Sequence, residues 1–162
     1  MKTKKLTTLA LLTTAAMILS YVESLLPSVG VPGVKLGLAN IAVIFALYRL
    51  GGKSALAVSL VRVFMVTMLF GSMSALLYSL AGAALSLGVM TLLRRSDRFS
   101  SVGVSVAGGV AHNLGQILMA MLLLGTARLA YYFPILVLTG VAGGIFTGLT
   151  AALLVKRIPE FK

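Results

Sequence analysis

The chain has 162 residues, of which 59% are hydrophobic and 10% charged, with a mean hydropathy of +1.08. A water-soluble domain carries about 25% charged residues, so this composition excludes one and indicates an integral membrane protein. The net charge of +11 does not indicate nucleic acid, because the cations sit in short clusters between apolar runs rather than along one face or tail.

A spanning helix needs about 20 predominantly apolar residues, and about 17 suffice. Taken in chain order, the first run that qualifies is 6–26. The run 36–50 is short, and its outer end is expected to depend on Lys35 snorkelling or on cover from the preceding loop. Between residues 54 and 93 the only charge is Arg62. As helix that stretch would reach about 60 Å, twice the thickness of the hydrocarbon core. A break at Gly71-Ser72 divides it into helices 54–70 and 73–93. The runs 101–124 and 131–155 complete six crossings in a single transmembrane domain, residues 1–162.

With the N-terminus inside, the inner side collects Lys2, Lys4, Lys5, Arg49, Lys53, Arg94, Arg95, Arg98, Lys156, Arg157 and Lys162. The outer side holds only Lys35 and Arg128, a strong positive-inside asymmetry that predicts cytoplasmic termini. Tyr131 and Tyr132 fit an outer aromatic belt, and Pro134 fits a first helical turn, where its missing N–H is harmless. A cleaved signal peptide over residues 1–20 competes with the first crossing. The apolar run continues past Ser20, however, and removal would invert the parity of the cation clusters.

Small residues recur four apart at Gly140, Gly144 and Gly148, at Ala107, Ala111 and Gly115, and at Ala75, Ser79 and Ala83. Such ladders let membrane helices pack at close range, and internal bundle packing accounts for these three. The first helix carries Ala10/Thr14 and Ala16/Ser20 at the same spacing and is apolar on every side, a candidate surface for a partner protein.

Polar residues inside apolar helices require a reason. Arg62 lies at the midpoint of the third helix, where an arginine costs about 2.5–3.5 kcal/mol even on a lenient scale. An ion pair with Glu23, a cap on a broken helix end and a ligand contact are all open to it. His112 and Gln116 stand at i and i+4, with Asn113 beside them. An interhelical network could hold them, but three polar side chains on one turn exceed what packing requires and point to a pocket. Glu23, Lys35 and Asn40 fall near the outer ends of their helices, with Arg128 in an outer loop. The expected site is therefore an outer cavity with a basic mouth and a floor of Arg62 and His112, suited to an anionic or phosphate-bearing ligand.

Much chemistry is excluded. The chain has three acids, Glu23, Asp97 and Glu160, so it lacks the clustered carboxylates of Mg²⁺-diphosphate chemistry. One histidine is too little for a metal site, and without cysteine there is no thiolate or disulfide. No phosphate-binding Gly-rich loop ending in Lys-Ser/Thr is present, nor a nucleophile–His–acid set within one pocket. Neither a catalytic residue nor a cofactor is expected.

The segment Pro32-Gly33-Val34-Lys35-Leu36-Gly37-Leu38-Ala39-Asn40, followed by Tyr48 and Gly51, resembles the Gx transporter family, also called heptaprenyl diphosphate synthase component I. The resemblance continues through Leu60-Val61-Arg62, residues 76–82 and Ala111-His112-Asn113-Leu114-Gly115-Gln116, covering nearly the whole chain. Members look like the substrate-binding S components of energy-coupling factor transporters. This implies a six-helix bundle in a prokaryotic cytoplasmic membrane, both termini inside, with an outer pocket lidded here by residues 27–35. The ligand contacts would be Glu23, Lys35, Asn40, Arg62, His112, Asn113 and Gln116. The resemblance also implies a flavin- or quinone-related ligand, and docking to a membrane coupling subunit with ATPases. S components commonly present Ala-x-x-x-Ala on the first helix for that docking, and this chain has Thr14 and Ser20 at the second positions. The synthase name implies an alternative, a non-catalytic membrane accessory subunit of polyprenyl diphosphate synthesis. Chain elongation uses aspartate-rich Mg²⁺ sites, whereas this chain has one aspartate.

Overall fold

The computed structural model describes residues 2–25, 37–96 and 98–158. Within them the chain is an all-α membrane bundle of six helices: α1 (Lys2–Leu25), α2 (Asn40–Leu50), α3 (Gly52–Phe70), α4 (Met73–Arg95), α5 (Ser101–Leu124) and α6 (Phe133–Arg157). A short 3-10 helix, Ala127–Tyr132, leads into α6. All but α2 are long and apolar enough to cross a membrane.

Local chemistry sets the boundaries. The break at Gly71-Ser72 falls where expected, and the Ser72 hydroxyl caps α4 by accepting from the Ala75 N–H at 3.2 Å. Ser100 caps α5 in the same way through Gly103, at 3.1 Å. Gly125 ends α5 in the left-handed region, where glycine carries no Cβ penalty. Pro134 sits in the first turn of α6. Helix α1 begins before residue 6, because the basic residues Lys4 and Lys5 continue the helix beyond its apolar run.

The second crossing is shorter than its apolar run. α2 has 11 residues, so its axis is about 16 Å long, half the hydrocarbon thickness. It needs no greater length because it lies inside the bundle, with every residue from 41 to 47 at most 8% exposed. Val43, Ile44 and Leu47 form the main core with Ala16 of α1, Val58 of α3, Leu87 and Met90 of α4, Val104 of α5 and Ala151 of α6.

Two arginines satisfy helix ends beside this plug. Arg94 of α4 donates to the carbonyl oxygens of Leu47 and Tyr48, the latter at 3.1 Å, and lies 5.1 Å over the Tyr48 ring. Arg49 of α2 donates to the carbonyls of Val155 and Ile158 at the end of α6. Where water is absent, terminal carbonyls need such donors.

The glycine ladder on α6 meets α5 at backbone distance. A Cβ on Gly144 would stand 2.5 Å from the Val106 Cα, and one on Gly109 would stand 2.5 Å from the Gly140 carbonyl oxygen. On α5, Gly115 closes on α4, where a Cβ would lie 2.6 Å from the Ala81 carbonyl oxygen. The α4 side of this contact uses Gly82 and Ser86 (a Gly108 Cβ would lie 3.3 Å from the Ser86 hydroxyl), while Ala75 and Ser79 remain only partly buried.

The small residues of α1 divide between inside and outside. Ala16 is fully buried and Ser20 is 8% exposed, both turned into the bundle, whereas Ala10 and Thr14 are exposed. The expected four-residue surface is therefore reduced to Ala10 and Thr14. A helix apolar on every side gives no sign of which stripe it buries.

Candidate functional site

Five helices meet around a cavity of about 40 Å³ at the level where α2 begins. α1 contributes Glu23, the start of α2 contributes Gly37 and Asn40, and α3 contributes Arg62. Gly109, His112 and Asn113 come from α5, and Thr139, Gly140, Gly143, Gly144 and Thr147 from α6. The close α5–α6 packing makes one wall largely of glycine backbone, and the side-chain chemistry stands opposite it and at its edges.

Glu23 is buried, 9% exposed, and its Oε1 accepts the Gly37 N–H at 2.5 Å. Gly37 has a φ of +77°, a left-handed turn that favours glycine and lets the chain enter α2 there. α2 then starts without a side-chain cap, so Glu23 supplies the negative charge that a helix N-terminus favours. Arg62 Nη1 donates to the Ser20 hydroxyl of α1 at 3.3 Å, and the Glu23 carboxylate attracts the guanidinium. Arg62 Nε is buried and has no acceptor among the described residues. Removal of such a group from water without a partner costs about 1–3 kcal/mol, more when it is charged.

Asn113 does two jobs. Its Nδ2 donates to the Leu136 carbonyl at 2.7 Å and lies 3.4 Å from the Thr139 hydroxyl, fastening α5 to α6 while forming part of the cavity wall. Ser105 and Thr147, 2.9 Å apart, make a second cross-link one level deeper. His112 lies between the cavity and α4: a Cβ on Gly82 would stand 2.9 Å from its carbonyl oxygen and 3.0 Å from its Cε1. Gly82 is thus the gap into which the imidazole packs.

Of the residues expected from sequence, Glu23, Asn40, Arg62, His112 and Asn113 line one cavity. Gln116 does not line it; its Cγ packs over Gly82, 2.9 Å from where a Cβ there would be. One further turn carries Gln116 past the wall and against α4. Arg128 is exposed on the 3-10 helix and does not line the cavity either. Lys35 and the expected lid, residues 27–35, lie outside the described residues.

Sequence reasoning missed Thr139, Gly143 and Thr147. Their i, i+4, i+8 spacing puts them on one face of α6, and two hydroxyls flanking a glycine was the available signal. They were hidden by the neighbouring ladder of Gly140, Gly144 and Gly148, which reads as packing alone.

Among the described residues no group of three His, Cys, Asp or Glu side chains is placed to hold a metal ion. One cation, one carboxylate, an imidazole, two side-chain amides and two hydroxyls converge on a small space in an apolar surround. No curated protein and no solved structure matches the chain. Residues 12–154 match the family model described as heptaprenyl diphosphate synthase component I. That match runs from the middle of α1 into the last turns of α6, and the chain belongs to the heptaprenyl diphosphate synthase component I family.

Proposed function

We propose that this chain is the membrane-embedded substrate-binding subunit of a small-molecule transporter, built like an S component. The observation that carries this reading is the convergence of Glu23, Asn40, Arg62, His112 and Asn113 from four helices on one cavity. Polar side chains this costly inside a bilayer mark a ligand site by default. The short α2 supports it further, since its N-terminus stops at the cavity, where Asn40 lines the wall, rather than running on through the bilayer.

In this reading the chain lies in the cytoplasmic membrane with both termini inside, as its cation asymmetry favours. Ligand enters at the end of the bundle where α2 begins. Beyond it, the apolar plug of α2 and the Arg49 and Arg94 contacts close the inner route. Inward release then needs work from a partner, a membrane coupling subunit with ATPases, because the chain has no phosphate-binding loop of its own. The exposed face of α1 bearing Ala10 and Thr14 is available for such docking. A flavin- or quinone-related ligand fits the family resemblance.

The family description favours a second reading, a non-catalytic membrane accessory subunit of heptaprenyl diphosphate synthase. Purification from native membranes separates the two. ATPase and coupling subunits accompany the chain in the first case, and a prenyltransferase accompanies it in the second. Within the first reading, Asn40→Ala and His112→Ala each reduce ligand retention while leaving membrane insertion intact. Unchanged retention in both variants would refute the site.

A further inference from the structure

We infer that Glu23 is a resident counter-anion of the cavity rather than a ligand contact, and that it holds a subsite for the carboxylate or phosphate group of an incoming ligand. The inference rests on the substrate-binding reading above and names the chemistry that the site takes.

The positive side of the site is larger than its negative side. Arg62 brings a guanidinium charge, and the start of α2, which has no side-chain cap, brings about half a charge more from its aligned peptide dipoles. Glu23 is the carboxylate that faces them among the described residues of the cavity. Its Oε1 accepts the Gly37 N–H at 2.5 Å, three residues ahead of α2, and the carboxylate attracts Arg62. Yet Arg62 Nε, buried, has no acceptor among the described residues. The atoms Arg49 Nε and Ser86 Oγ are likewise buried with no hydrogen bond among the described residues, but Arg62 Nε belongs to a residue that lines the cavity, where an acceptor can be delivered to it. A ligand carboxylate or phosphate carries a pair of oxygens that matches the fork of a guanidinium.

Two anionic groups cannot share this space cheaply. Like charges brought together at a desolvated site repel strongly. An incoming anion therefore has to displace the Glu23 carboxylate from the Gly37 N–H or drive its protonation. Glu23 acts as a stand-in that keeps the empty site neutral enough to persist in lipid and also competes with every anion that enters. A neutral ligand would gain nothing from evicting it. The residue thus sets specificity through competition.

The test is a titration of the purified full chain with inorganic phosphate and, separately, acetate. Sodium chloride at matched ionic strength is the reference, and the thermal midpoint is the readout. Glu23→Gln keeps a side chain of similar shape and removes the competing charge. Its half-maximal stabilisation is expected at an anion concentration at least about tenfold below that of the natural chain. Arg62→Lys keeps the charge but loses the fork and Nε, and its response should weaken by about tenfold. The stronger of the two anions identifies the group. A Glu23→Gln chain that responds at the same or a higher concentration overturns the inference, because a ligand contact would behave in that way. So does an Arg62→Lys chain that responds like the natural one. If a small molecule is retained by the natural chain but neither anion shifts any variant, the anion subsite is refuted and ligand binding stands. If nothing is retained and nothing shifts, both fall.

Discussion

Replacement of Gly144 by alanine tests the packing that builds the cavity wall. The added Cβ would stand 2.5 Å from the Val106 Cα and 3.0 Å from both the Ser105 carbonyl oxygen and the Val106 nitrogen. All three are backbone atoms of α5, so no side chain can rotate away. Ordinary contact begins near 3.4 Å, which requires α5 and α6 to part locally by about 0.9 Å. Overpacking of this kind costs about 1–3 kcal/mol. At about 2–4 °C per kcal/mol for a chain of this size, the thermal midpoint of the purified protein should fall by roughly 2–12 °C. Gly148→Ala and Gly140→Ala meet backbone at 2.9 and 3.0 Å and should cost less, in that order. Gly88→Ala meets nothing within 4 Å and is the control; it should be neutral or stabilise α4 by up to about 1 kcal/mol through helix propensity. A Gly144→Ala chain that melts with the natural one, or a Gly88→Ala chain that melts below it, would refute the close-approach argument.

Other positions separate backbone strain from lost contacts. Gly51 has φ +88° and ψ 171° with open space around it, so Gly51→Ala should lose about 1–3 kcal/mol through conformation alone, read as a lower denaturation midpoint. Arg94→Leu strips two carbonyls at the end of α2 of their donor and removes the contact with Tyr48. At about 0.6 kcal/mol per membrane hydrogen bond and about 0.5–1 for the cation–π contact, roughly 2 kcal/mol should be lost. Hydrogen exchange should rise at the amides of α2, and unchanged exchange there would count against the clasp.

The fold was largely legible because hydrophobic length is a local property. The α3–α4 break, both bounds of α5 and the first-turn proline of α6 follow from runs of a few tens of residues and their caps. The length of α2 was less legible, since burial in protein and burial in lipid write the same apolar residues. Arg49 and Arg94 were read as topology charges only. Their roles depend on carbonyl groups that other helices bring beside them, and carbonyls have no sequence signature. The candidate site divides in a similar way. Arg62, His112 and Asn113 stand out in sequence because polarity within an apolar run is conspicuous. Gln116 was misplaced because one helical turn decides between the cavity and α4, and Ala16 and Ser20 were misplaced because α1 is apolar all round.

The central claim is that the cavity beneath the start of α2 holds a small molecule. Native mass spectrometry of the full chain, extracted gently from its own membrane, measures this directly. The spectrum should show a second species heavier than the bare chain by one small molecule, diminished in Asn40→Ala and in Arg62→Lys. A natural chain that is folded, retains bound lipid and carries no such molecule under conditions that preserve lipid adducts would contradict it.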